Sequence, residues 1–133
     1  MPLVTFDDRD VNEDFLNKIS HVSQSTTASG ESSQTHYFDI TGSGYVVVTA
    51  SVRTDTTSSY GSTMITIWHN GTAVGYGYNR WGSSLNQRQG GSATVTLKVS
   101  NGDTIQMQIE QTKGGSKTHW WSCLCFGCTA SYR

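Results

Sequence analysis

Between Tyr45 and Glu110 the apolar residues fall on every second position, and this period decides most of what the chain can fold into. Val46, Val48, Ala50 and Val52 alternate with Tyr45, Val47, Thr49, Ser51 and Arg53. Ala93, Val95, Leu97 and Val99 alternate with Thr94, Thr96, Lys98 and Ser100. Ile105, Met107 and Ile109 alternate with Thr104, Gln106, Gln108 and Glu110. A strand with this pattern puts one set of side chains on a core and the other towards water. In Thr63–His69 both sets carry apolar groups, Ile65 and Ile67 against Met64 and Trp68, so this strand is expected to be covered on both faces. Asn70-Gly71 and Asn101-Gly102 supply the positive φ angles of tight two-residue turns and predict hairpins.

The chain has 133 residues, the size of one domain with a real hydrophobic core. Charged residues make up 14% and the net charge is -1, which argues against a nucleic-acid partner gripped by its phosphates. No apolar run approaches the roughly 20 residues of a membrane-spanning helix. Met1–Asp10 is acidic and lacks the order of a secretion signal, so folding in a cytoplasm is expected. Low charge combined with many Ser and Thr suits sheet faces that pack against other subunits or a larger assembly.

Residues 10–22 are the one helix candidate. Val11, Phe15, Leu16, Ile19 and Val22 fall on one stripe at helical spacing, and Asp7, Asp8 and Asp10 suit the positive end of a helix. So short a helix is marginal alone in water. The stripe would pack on its own sheet or dock on a partner. Residues 23–34, rich in Ser and Thr, read as a flexible linker. The expected organisation is a 1–35 arm followed by a 36–133 β-domain. Residues 80–91 and 113–117 read as loops, and Thr118–Ala130 as the last strand.

The order Gly44–Val52, Met64–Gly71, Gly91–Val99 and Asn101–Ile109 resembles the jelly roll of the tumour-necrosis-factor and complement globular-head superfamily. There a G-x-Y strand, an N-G hairpin and an L-x-x-GD-x-V/I-x-L hairpin recur in the same sequence order. The likeness covers roughly residues 36–130. The final segment Trp121–Gly127 departs from the family pattern. The resemblance implies a non-enzymatic homotrimer. Similar jelly rolls occur in bacteriophage virions as fibre heads, receptor-binding tips and capsid decoration proteins, which makes a virion component the expected setting.

Catalytic chemistry finds little support. His21, His36, His69 and His119 sit beside no recognisable nucleophile motif. Past Tyr45 the carboxylates are Asp55, Asp103 and Glu110, with no convincing pair for glycoside hydrolysis. Cys123, Cys125 and Cys128 with His119 have the composition of a zinc site. On a regular strand, however, Cys128 points away from the other two, so reduced, buried packing residues are expected. Tyr76, Tyr78, Arg80 and Trp81 cluster near an expected loop and are the candidate recognition residues for a receptor or glycan.

The sequence thus predicts an all-β jelly-roll sandwich with a short N-terminal helical arm, forming a homotrimer. Its expected role is non-catalytic: capsid decoration or a tail-associated attachment head of a phage particle, folded in the host cytoplasm. Its expected partners are other virion proteins and a host-surface glycan, with no nucleic acid, no membrane insertion, no cofactor and no metal. A soluble lectin using the loop aromatics is the alternative.

Overall fold

The computed structural model describes residues 18–29, 32–54, 61–82, 89–112 and 116–133. Seven antiparallel strands account for nearly all of them: β1 (Ile19–Ser29), β2 (Ser32–Thr54), β3 (Gly61–His69), β4 (Thr72–Trp81), β5 (Gln89–Val99), β6 (Thr104–Thr112) and β7 (Ser116–Tyr132). Followed through its hydrogen bonds, the sheet runs β1-β7-β2-β6-β3-β4, with β5 also paired to β2.

The two long strands turn this sheet into two layers. The first part of β2, Ser32–Asp39, pairs with β6, while its second part, Gly44–Thr54, pairs with β5. β7 follows β2 through both parts, with a register shift between Gly42 and Tyr45. At this crease Gly42 has φ +87° and Gly127 of β7 has φ +83°. Both strands bend where glycine alone is unstrained. One layer is therefore β4-β3-β6-β2, and the other is β5-β2-β7-β1. With β2 counted as two segments, each layer has four strands, and the chain crosses between layers at every connection except the β3–β4 hairpin. This is a jelly-roll sandwich.

The alternating positions meet in between. Phe38, Val46, Val48, Ile65, Ile67, Ile105, Met107, Ile109, Cys123 and Cys125 are fully buried. Val22, Val74, Val95 and Leu97 pack around them. The period of two near Tyr45, Ala93 and Ile105 is thus realised as the inner faces of both layers.

Several expectations are corrected. Ile19 and Val22, read as part of a helical stripe, lie in β1. Ile19 is 42% exposed, whereas Val22 packs on the core, because residues three apart on a strand face opposite sides. Residues 10–17, which hold the rest of the expected helix, lie outside the described residues. The expected linker is strand over residues 23–29 and 32–34, with Ile19–Ser29 paired residue by residue to Phe126–Ser116. Its Ser and Thr side chains bury little, but the partner strand satisfies the backbone. The boundary drawn at 35/36 falls within β2.

Met64 is 41% exposed, so β3 is not covered on both faces. Asn101-Gly102 is a turn but not a hairpin, since β5 and β6 each pair with β2 and not with one another.

That turn is tied to the β3–β4 turn through Asp103. Its carboxylate accepts from Asn70 Nδ2 (2.9 Å) and the Ser100 backbone N–H (2.9 Å), and pairs with His69 Nε2 at 2.8 Å. Asn70 Oδ1 accepts from the Thr104 N–H in return, and Asn101 Oδ1 from the Gly42 N–H at the crease. These bonds hold the Asp103 carboxyl well below the usual range, at about 2, with Asn70 the largest contributor.

Candidate functional site

The outer face of the β4-β3-β6-β2 layer carries the expected recognition residues. Register fixes its rows: Tyr78, Met64, Glu110 and Ser33 lie side by side, and so do Tyr76, Thr66, Gln108 and Thr35. Tyr76 is 70% exposed and Tyr78 63%. Two residues apart on edge strand β4, the phenols stand on one side of the sheet, and Arg80 continues the line. Ser33, Ser62, Met64, Tyr78, Glu110 and Thr112 line a shallow concavity of about 460 Å³. Gln108 Nε2 donates to Ser33 Oγ (3.1 Å) and to Glu110 Oε1 (3.3 Å), which ties the amide to two residues of the concavity. These two rows offer flat aromatic surface, hydroxyls, the Gln108 amide and the Glu110 carboxylate: a chemistry of contact and hydrogen bonding.

Trp81 does not belong with these residues. It ends β4 on the inner side and is 3% exposed. Its ring covers Gly61, where a Cβ would meet Trp81 Cζ2 at 2.6 Å. Alternation along the strand sends Trp81 inward once Tyr76, Tyr78 and Arg80 point out.

The outer face of the β5-β2-β7-β1 layer differs. Ile19, Phe126, Tyr45 and Lys98 form one row, and His21, Leu124, Val47 and Thr96 the next. Tyr45 is 47% exposed, and Val47, Leu124 and Phe126 are half-buried. The rows beyond them hold Ser23, Ser122, Thr49 and Thr94, then Ser25, Trp120, Ser51 and Ser92. The face is thus apolar at one end and rich in hydroxyls at the other, with Trp120 among the hydroxyls. Of the arm candidates, Ile19 lies in the first apolar row and Val22 packs on the core beneath. Val11, Phe15 and Leu16 lie outside the described residues.

The three cysteines converge more than strand alternation allows. Cys123 and Cys125 are fully buried with their Sγ atoms 3.7 Å apart. The bend at Gly127 brings Cys128 inward as well, with its Sγ 3.8 Å from the Tyr45 carbonyl. Burial, followed by its Cys125 neighbour, pushes the Cys128 thiol up to about 11, and burial raises Cys123 too. Both are protonated at neutral pH and pack as apolar groups. Among the described residues no group of three or more His, Cys, Asp or Glu side chains is arranged to hold a metal ion.

A polar patch inside the sandwich escaped the sequence reading. His36 of β2 stacks on Trp121 of β7, with ring centres 3.6 Å apart and planes 9° apart. His119 meets His36 edge-on at 6.1 Å. Lys117 and His119 are both fully buried, and Gln111 Nε2 donates to Thr54 Oγ1 between the layers (3.0 Å). His119 Nδ1 and Nε2, His36 Nε2 and Trp121 Nε1 make no hydrogen bond among the described residues. Burial, then the His36 and Lys117 charges, push His119 down to about 4, and burial lowers His36. The only sequence signal was a Lys, His, Trp series on alternate positions, 117, 119 and 121, leading into the cysteines.

No protein-family model matches the chain, and no curated protein matches it. Among solved structures it is similar to Eiger TNF from S. frugiperda, with 10% identity over 64% of this chain and 60% of that one and a TM-score of 0.44. The chain therefore spans less than two thirds of the Eiger chain. It is also similar to murine APRIL, with 9% identity over 80% of this chain and 99% of that one and a TM-score of 0.47. For a CBM35 from Cellvibrio japonicus Abf62 the values are 14% identity, 84% of this chain, 98% of that one and a TM-score of 0.43. The jelly-roll assignment rests on the strand register described above.

Proposed function

We propose that the chain is a non-catalytic, homotrimeric head domain whose copies meet through the apolar rows of the β5-β2-β7-β1 layer. The observation that carries this reading is the contiguous set Ile19, Tyr45, Val47, Leu124 and Phe126 on one outer sheet face. Contiguous apolar surface left towards water marks an interface, and burying it stabilises an assembly by about 25 cal/mol for each Å² removed from water. The adjoining row, Ser23, Ser122, Thr49 and Thr94, carries short hydroxyl side chains, so a second copy can approach without burying many charges.

The proposed setting is a phage particle, as capsid decoration or a tail-associated attachment head, folded in the host cytoplasm. The resemblance in strand and turn order and the weakly charged faces support it. In that setting residues 1–17, with Val11, Phe15 and Leu16, would dock on another virion protein.

Light scattering on a sizing column tests the trimer. A native mass near three chains is expected, and Val47→Asp with Leu124→Asp should give a folded monomer. A monomeric wild-type chain would overturn the reading. Removing residues 1–17 tests the docking arm: particle binding should vanish while the native mass stays near three shortened chains.

A second reading, a carbohydrate-binding lectin, is favoured by the exposed pair Tyr76 and Tyr78 beside the Met64–Glu110 concavity. Tyr76→Ala with Tyr78→Ala should abolish binding on a glycan array without lowering the melting temperature. An array on which the wild-type chain gives no hits would count against it.

A further inference from the structure

The concavity beside Tyr78 holds a carboxylate with one oxygen left over. Glu110 is half-buried on the outer face of the β4-β3-β6-β2 layer, and Gln108 Nε2 donates to its Oε1. Among the described residues no hydrogen bond reaches its Oε2 and no cation pairs with it. Register sets Glu110, Met64 and Tyr78 in one row on neighbouring strands, and all three line the same depression of about 460 Å³. Met64 stands between the carboxylate and the phenol ring and is 41% exposed. Ser33, Ser62 and Thr112 add hydroxyls to the lining. Asp39, the other carboxylate that register places on this face among the described residues, is held by Arg133. Arg80 stands in the row of Ser62 and Thr112, two strands across and one row along, about 12 Å from Glu110 by strand spacing. At that separation salt screens most of its field.

We propose that this concavity takes an amino sugar: a hexosamine residue of a glycan, with its ammonium on Glu110 and a pyranose face on Tyr78. The inference deepens the lectin reading and rests on it. A neutral sugar laid over Glu110 would take water from a carboxylate and return no charge. An ammonium supplies both a donor and the opposite charge. The phenol ring and the Met64 thioether take the C–H faces of sugar rings. Serine and threonine hydroxyls donate and accept, as sugar hydroxyls do. A lysine side chain would satisfy Glu110 but offers no hydroxyls to Ser33, Ser62 and Thr112. From Tyr78 to Ser33 the row spans three interstrand steps, about 14 Å, so an oligosaccharide lying across the strands is favoured over a single ring.

Calorimetric titration of the full chain at about pH 6, where sugar amines carry a proton, tests this. The probes are three β-1,4 trisaccharides that differ only at C2: the glucosamine trimer, the N-acetylglucosamine trimer and cellotriose. The glucosamine trimer should bind about ten-fold tighter than the other two, the size of one charge-assisted hydrogen bond. Added salt should shrink that preference. Glu110→Gln keeps an acceptor for Gln108 and should bring the glucosamine trimer to the affinity of cellotriose. Tyr78→Ala should weaken it about five-fold. Thermal melts of both variants should match the wild type. Equal affinity for the three probes, or a preference that survives Glu110→Gln, would overturn the amino-sugar assignment and leave the lectin reading standing. Binding of none of the three would overturn it as well, and the glycan array then decides the lectin reading separately. A trilysine peptide that binds as tightly as the glucosamine trimer would overturn the sugar in favour of a lysine-bearing partner.

Discussion

His119 gives the sharpest test of how the interior is built. It is fully buried, it faces His36 and Lys117, and neither ring nitrogen finds a hydrogen bond among the described residues. Its pKa falls from 6.5 to about 4, chiefly through burial. Above pH 6.5 the ring is neutral in both folded and unfolded chains, so pH has no effect through it. Between 6.5 and about 4 the unfolded chain takes a proton that the folded chain refuses. Over that window stability falls as the pH falls, by about 1.4 kcal/mol for each pH unit. At pH 4.5, two units below 6.5, the loss through this one ring comes to about 2.7 kcal/mol.

The assay is urea unfolding followed by tryptophan fluorescence at fixed chain concentration, in steps from pH 7.5 to 4.5. His119→Leu removes the titrating group and two unpartnered ring nitrogens together. The variant should equal the wild type at pH 7.5 or exceed it by up to about 1 kcal/mol. The gap should then widen by about 2–3 kcal/mol at pH 4.5. His36, also lowered by burial, contributes to both proteins and so drops out of the difference to first order. Parallel curves, or a variant strongly destabilised at neutral pH, would refute the account of His119 as a tolerated, neutral buried ring.

The other predictions address the turns, the closure and the misplaced tryptophan. Asp103→Asn should lower stability at pH 7 by about 2 kcal/mol, since the wild-type carboxyl is held about 1.8 units below 3.8. In the wild type that contribution is complete above pH 3.8 and fades as the pH falls towards 2, so acid melts of the two proteins should converge. Gly77→Ala sets a methyl group against the Ser92 carbonyl, where β4 packs on β5, and should cost about 2–4 kcal/mol in chemical denaturation. Trp81→Ala empties a buried position and should cost about 3–5 kcal/mol, while any glycan affinity measured below the melting transition should persist.

The strands around Val46–Val52, Ala93–Val99 and Ile105–Ile109 were legible because one buried face leaves a period of two in the chain itself. The Asn-Gly turns were legible because positive φ is a local demand, met at Asn70 (φ 49°), Gly71 and Gly102. β1 was not legible. Its hydrogen bonds come from β7, about a hundred residues away in sequence, and its Ser/Thr composition carries no burial signal. Residues 19–22 happen to fit a helical stripe, and only pairing with Cys123–Phe126 decides otherwise. The aromatic run at 76–81 was found, yet its division into outward Tyr76 and Tyr78 and inward Trp81 needed the strand to continue to position 81.

Local alternation and turn chemistry therefore settled the class of fold and most of its core. Which layer each strand joins, the crease at Gly42 and Gly127, the meeting of His36 with His119, and the rows that set Trp120 among serines were decided by the tertiary structure. These depend on contacts between residues far apart in the chain, and such contacts leave no period in the sequence.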